Sequence, residues 1–112
     1  MSIAVTLADL PAAIDQQIGW CYLLTVTDDS QPRVIAIAPT WSVGGVLSAE
    51  IGRGTAANVQ ARPNVTLVYP PASAADGMTL IIDGSASMDG STVSFLPGTA
   101  VMHRPAVASG GC

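Results

Sequence analysis

Few side chains in this sequence could act as acids, bases, nucleophiles or metal ligands, and their spacing narrows the choice further. His103 is the single histidine and Cys21 lies far from it in the chain, so a Cys/His nucleophile pair has no local signature. A packed cysteine and a surface or interface histidine is the plainer reading. One His and two separated Cys do not supply three or four ligands at any usual spacing, so no metal site is expected. Asp83 follows the apolar run Leu80-Ile81-Ile82 and could serve as a general base at a strand end. Asp83-Gly84 reads more simply as a bend or bulge.

The segment Gly52-Arg53-Gly54-Thr55 is the richest in chemistry. Glycines let backbone N–H groups approach an anion, Thr55 offers a hydroxyl, Arg53 offers charge, and a helix start is expected next. Such a loop could hold a phosphate, although by itself it is also an ordinary strand-to-helix turn. Asn64-Val65-Thr66 fits a glycosylation sequon but is read as a chance match, because no signal peptide is seen.

Composition sets the class of partner. The 112 residues suffice for one core, so one domain over 1–112 is expected. Hydrophobic residues make up 49% and charged residues 11%, too little charge to cover a whole monomer surface, so some apolar surface is expected to meet a partner. There is no Lys, and four Arg (33, 53, 62 and 104) stand against eight acids, for a net charge of -4. That balance argues against nucleic acid and anionic membranes, which bind through clustered positive charge. No basic-then-apolar leader and no run of about 18 apolar residues is present, so a cytoplasmic protein is expected. Cys21 and Cys112 are read as thiols.

These residues must be positioned by short elements. Thr6 with Asp9 resembles a capping box, Pro11 suits a first turn and Gly19 a helix end, so 7–18 reads as a helix within an N-terminal region 1–19. Trp20 to Thr27 and Arg33 to Ala38 read as a hairpin across Asp28-Asp29-Ser30-Gln31. Pro39 ends the second run, Val43-Gly44-Gly45 turns the chain, and Val46 to Ile51 follows as a third strand, which predicts a three-stranded meander. Ala56 to Ala61 reads as one or two helical turns stopped at Arg62 by Pro63. Val65 to Tyr69 is a fourth strand, 72–77 a small-residue loop, and Met78 to Ala86 and Thr92 to Leu96 flank a primed turn at Asp89-Gly90. Residues 98–112 read as a tail with one short strand near Ala100 to His103 and a frayed end at Gly110-Gly111-Cys112. About six short antiparallel strands and two small helices predict a mainly β protein closed as a small barrel.

In order, Tyr22-Leu23-Leu24-Thr25-Val26, Gln31-Pro32-Arg33-Val34-Ile35-Ala36-Ile37, the Arg53 to Asn58 loop, and Ala61-Arg62-Pro63-Asn64-Val65-Thr66-Leu67 resemble the pyridoxamine 5'-phosphate oxidase-like family over residues 15 to 71. The resemblance implies an FMN-binding split β-barrel that forms homodimers, with FMN or a deazaflavin held between the subunits. It further implies that basic residues on the second strand and a Ser-Arg-Lys-like run after the third grip the phosphate. Arg33 matches the first position. Ala38, Gly54 and Thr55 stand where further basic residues are expected, and Arg53 lies two positions from the expected Lys. Charge-assisted hydrogen bonds are worth about 1.5 to 3 kcal/mol, so two fewer would cost about two or more powers of ten in affinity.

The functional expectation is therefore a flavin- or deazaflavin-dependent oxidoreductase acting on an unspecified small molecule, in which the cofactor supplies the chemistry and the protein the placement. Arg33, Gly52, Arg53, Gly54 and Thr55 are the expected phosphate contacts. Trp41 is a candidate for the ring edge, against the plainer reading of a core or interface tryptophan. His103-Arg104 is read as a surface pair that could reach the partner subunit's cofactor. The alternative is a non-catalytic ligand- or cofactor-binding dimer on the same scaffold, which the missing Lys favours. A nucleic-acid-binding barrel is set aside, with one Phe, two Trp and two Tyr to build stacking surfaces.

Overall fold

The computed structural model describes residues 2–73 and 77–105. Its elements are β1 (Ser2–Val5), α1 (Leu10–Asp15), β2 (Cys21–Val26), β3 (Pro32–Ile37), β4 (Thr40–Ser42), β5 (Val46–Glu50), α2 (Arg53–Ala61), β6 (Asn64–Tyr69), β7 (Thr79–Asp89) and β8 (Thr92–His103). All eight strands belong to one antiparallel sheet in the order β3-β2-β6-β7-β8-β5-β4, with β1 pairing the far half of β8. The two end strands, β3 and β4, are joined by Ala38-Pro39 alone. So short a link brings the ends of the sheet together, and the sheet curls into a barrel that the chain closes at this corner in place of a hydrogen-bond ladder. This is the mainly β split barrel expected from the sequence.

Alternation builds the inside. In β2, Cys21, Leu23 and Thr25 are buried while Tyr22 and Val26 are exposed. Leu67, Tyr69, Leu80, Ile82, Val93 and Phe95 complete the same interior from β6, β7 and β8. Leu10 and Ala13 of α1 and Val59 of α2 join this core, so the buried residues of both helices serve the inner face. The outer face of β2 and β3 keeps apolar residues without such cover: Val34 is 55% exposed, and Tyr22 and Val26 are exposed beside it.

Several expectations are corrected. The three-stranded meander does not form, because β5 pairs with β4 and β8 and never with β3. Pro39 offers no N–H and turns the chain around the barrel corner, so the second predicted strand lies at one end of the sheet and the third is next to last at the other. Among the described residues the strands number eight, against the about six expected. β1 and β4 carry no strong local signal; long-range pairing with β8 defines β1, and β4 is a three-residue strand that folds back on β5 in a short hairpin. The helix predicted over 7–18 is six residues, Leu10–Asp15. Thr6 does bond the Asp9 N–H through Oγ1 at 3.2 Å, but this caps the turn before the helix. Beyond the helix, Gln17 Nε2 donates to the Met78 carbonyl at 2.8 Å and tethers that segment to the start of β7.

The largest correction concerns the C-terminal part. Pro97-Gly98 does not end the strand; the short strand expected near Ala100 to His103 is present, but as the far half of a continuous β8 and not as a separate element of a tail. The register shifts between Asp83 and Gly84, with Asp83 opposite Thr99 and Gly84 opposite Pro97, so Gly98 faces no partner. This is the bulge expected at Asp83-Gly84, with its extra residue on the other strand. A primed hairpin turn forms, but one residue later than expected: Asp89 ends β7 opposite Thr92, and the two-residue loop is Gly90, at φ 60°, and Ser91. Part of the predicted 72–77 loop, the frayed end and Cys112 lie outside the described residues.

Candidate functional site

Arg33 stands directly opposite Thr25 across the β2–β3 ladder. Opposed residues share a face of the sheet, so Arg33 lies on the inner face near the end of the ladder, where the barrel meets α2. α2 begins at Gly52, whose extended backbone (φ -77°, ψ 170°) caps it with no side-chain hydrogen bond. The first in-helix bond is Ala56 N–H to the Gly52 carbonyl at 2.9 Å, so the amides of Arg53, Gly54 and Thr55 precede the helical ladder. No acidic residue occupies this first turn. Those amides and the helix dipole make the end of α2 favourable to negative charge.

Gly54 and Asn58 of α2 and its C-cap Arg62 follow one another four apart along one side, and the last two hold the helix against β2. Asn58 Nδ2 donates to Thr25 Oγ1 at 3.1 Å, and Thr25 is the one buried polar residue among those described. Arg62 Nε donates to the Val26 carbonyl at 2.8 Å and its NH2 pairs with Asp28 at 2.9 Å. Gly54 adds no side chain on that side. The result is a cavity of about 280 Å³ lined by Thr27, Arg33, Val34, Ile35, Gly54, Thr55 and Asn58.

Three of the six sequence-predicted contacts, Arg33, Gly54 and Thr55, thus line one cavity although about twenty residues separate the strand from the helix. Gly52 and Arg53 occupy the N-cap and first position of the same helix but do not line it. Trp41 is elsewhere: it faces Leu47 in the β4–β5 pair and lines two other cavities, one with Tyr69 and Gln17, the other with Leu7 and Leu96. Neither glycine of the helix start is demanded by packing, since a Cβ at Gly52 or Gly54 would meet nothing within 4 Å.

Arg33 NH1 donates to the Pro32 carbonyl at 3.1 Å. Its other nearby charge is Asp29, whose carboxyl lies below the usual range because the Thr27 hydroxyl donates to it at 2.6 Å, a backbone N–H adds to this, and the Arg33 field helps. The remaining chemical candidates separate. Cys21 is a buried free thiol pushed up to about 11 by burial, partly offset by the Tyr69 hydroxyl beside it. That hydroxyl is itself buried with the thiol as its polar neighbour, and burial followed by that thiol raises it. His103 is exposed and its Nδ1 lies 3.2 Å from Ser2 Oγ, so each half of the conjectured Cys/His pair has a different neighbour. Asp83 accepts a 2.5 Å hydrogen bond from Thr66 in a groove over the bulge. No group of three or more potential metal ligands occurs among the described residues.

Asn58, Thr25 and Thr27 were not marked as site residues by sequence reasoning. The signal was an asparagine in the interior of a nine-residue helix, where its low propensity calls for a partner.

No protein-family model matches the sequence, and no curated protein matches it. Solved structures do share its fold. A candidate pyridoxamine 5'-phosphate oxidase from Listeria innocua superposes with a TM-score of 0.69 at 18% identity, covering 87% of this chain and 98% of that one. An FAD binding protein from Mycobacterium smegmatis gives 0.64 at 15% identity over 93% and 100%. An F420 reductase gives 0.61 at 15% identity over 79% and 93%. At these identities the likeness is one of fold, and the split barrel is the architecture these proteins hold in common with this chain.

Proposed function

We propose that this chain is a pyridoxamine 5'-phosphate oxidase-like protein that binds a flavin-type cofactor, FMN, FAD or a deazaflavin, and serves as an oxidoreductase for a small molecule. The observation that carries the reading is the convergence of Arg33, Gly54 and Thr55 on one cavity at the start of α2. A guanidinium, a hydroxyl and amides outside the helical ladder are a donor set for phosphate oxygens. Arg33 holds the charge, Thr55 donates from the facing side, and Gly52 and Gly54 leave the backbone bare for close approach. Arg53, at the first helical position, contributes through its field. The cofactor, when bound, supplies the electron transfer, so the protein needs no acid or base of its own. Trp41 does not share the Arg33 cavity; a place for it beside the ring rests on the two cavities it lines itself.

A homodimer follows from the same reading. The outer face of β2 and β3 exposes Tyr22, Val26 and Val34 while both helices spend their buried residues inside. A second copy covering this face would remove that surface from water, and it suits the low charge content of the chain. A cytoplasmic location remains the expectation from sequence, and no described helix is long and apolar enough to cross a membrane.

The test is spectroscopy and mass analysis of gently purified protein. A yellow preparation releasing a flavin or deazaflavin, or one that takes up either on titration, is the expected result; colourless protein that binds none of them overturns the reading. A second reading, a non-catalytic binding dimer, is favoured by Thr55 standing where a Lys is expected. Bound cofactor that no electron donor reduces would select it.

A further inference from the structure

The large apolar side chains left exposed fall mainly into two groups. Tyr22, Val26 and Val34 lie on the flat outer face of β2 and β3, the face a second copy would cover. Leu7 and Leu96, each 52% exposed, and Trp41, 38% exposed, instead wall one cavity of about 310 Å³. Val43, nearly fully exposed, stands on the turn that brings Gly45 into the same wall. A flat apolar patch suits another protein surface, whereas a concave one of this size suits a small molecule.

The walls come from three parts of the chain. Leu7, Leu10 and Pro11 belong to α1 and the turn before it, Trp41 and Gly45 to the β4–β5 hairpin, and Leu96 and Pro97 to β8. The fold makes them rigid. Leu10 is anchored in the core, Pro11 and Pro97 have fixed φ angles, and Pro97 is held opposite Gly84 at the bulge. Trp41 continues the inner-face row of Phe95 and Leu47. Those two are buried, but β4 is the last strand of the sheet, so the indole stands at the end of the row with part of its ring open. A preformed pocket gives up little order on binding, and an open indole face is a stacking surface for a flat ring.

Charge narrows the ligand. The wall holds no charged residue, and the indole N–H of Trp41 is its only polar side-chain group. A charged ligand would leave water here without a counter-ion, a cost that an uncharged one does not meet. The groups that favour an anion, Arg33, Thr55 and the start of α2, line a different cavity that shares no residue with this one.

We infer that the cavity between α1, the β4–β5 turn and Pro97 of β8 is a second small-molecule site, which takes an uncharged, flat ring compound against the face of Trp41. It is separate from the anion site and does not depend on the cofactor reading. The place for Trp41 beside a cofactor ring is then the other cavity it lines, with Tyr69 and Gln17.

The experiment is isothermal titration calorimetry of the intact protein at neutral pH with 2-naphthol, which is uncharged, and with 2-naphthoate, the same ring system as an anion. 2-Naphthol binds about tenfold or more tightly than 2-naphthoate. Leu7→Glu and Leu96→Glu, both at half-exposed positions, each place a carboxylate in the wall and weaken 2-naphthol about tenfold or more while the melting temperature stays level. Trp41→Phe keeps an aromatic face and holds the affinity to within about threefold, whereas Trp41→Ala loses it. Because the two cavities share no residue, excess FMN leaves the 2-naphthol dissociation constant within about twofold. Displacement of 2-naphthol by FMN would give the cavity to the flavin ring, which overturns this inference and supports the cofactor reading. No binding of 2-naphthol, equal binding of the two probes, or binding that neither glutamate variant changes overturns it and leaves the cofactor reading standing.

Discussion

Asn58 on α2 donates to the hydroxyl of Thr25 on β2 at 3.1 Å, and Thr25, 3% exposed, is the residue that faces Arg33 across the ladder. One hydrogen bond therefore ties the middle of α2 to the strand pair that carries the cation, and its donor Asn58 lines the cavity between them. Asn58→Ala removes the donor and leaves a buried hydroxyl without its partner. A loss of about 1 kcal/mol in unfolding free energy is expected by urea denaturation, together with a several-fold loss of cofactor affinity. Unchanged affinity would detach Asn58 from the site.

Two glycines separate packing from binding. At Gly84 a Cβ would lie 2.2 Å from the Leu96 carbonyl oxygen and 2.8 Å from the Phe95 ring, so the bulge admits no side chain. Gly84→Ala is expected to cost about 2 kcal/mol or more, read as a lowered melting temperature. Gly54→Ala meets nothing within 4 Å and should leave the melting temperature level or slightly raised while weakening cofactor binding.

Glu50 at the end of β5 accepts hydrogen bonds from Ser91 at 2.6 Å and from Thr92, and these two hydroxyls hold its carboxyl below the usual glutamate range. A folded-state pKa below the unfolded one gives stability that is present above the unfolded value and lost as pH falls through the folded value. Glu50→Gln should therefore melt below the native protein at pH 7, and the two curves should converge below the ordinary glutamate pKa. Parallel curves down to acid pH would remove Glu50 from the acid response.

Cys21 should be unreactive in the folded state. With its thiol pushed up to about 11, only about one molecule in a thousand carries the thiolate at pH 8, and burial denies a reagent access. In a Cys112→Ser background, a thiol reagent at pH 8 should label Cys21 only after denaturant is added. Rapid labelling of the folded protein would contradict the packing around Tyr69.

The elements that announce themselves by local chemistry were legible in the sequence: the alternating run of β2, a primed turn at Gly90 placed within one residue, and the stop of α2 before Pro63. What was not legible was set by distant partners. Pro39 and Pro97-Gly98 look alike as strand breakers, yet the first turns the barrel corner and the second is absorbed as a bulge because Gly84 across the ladder leaves room for it. The short strand β1 pairs only with the far half of β8, whereas β4, three residues long and hairpinned to the neighbouring β5, is too short to show an alternation. The site followed the same division. Arg33, Gly54 and Thr55 were singled out by type and order, while Asn58 and Thr25 emerge only when helix and strand are seen side by side, and Trp41 is carried to other cavities by β4.

The measurement that bears most directly on the central claim is the dissociation constant of the tightest-binding cofactor for native protein and for Arg33→Ala, with melting curves recorded on both. The account predicts binding at least tenfold weaker, a loss of about 1.4 kcal/mol or more, with an unchanged melting temperature. An unchanged dissociation constant in a folded Arg33→Ala protein would contradict it.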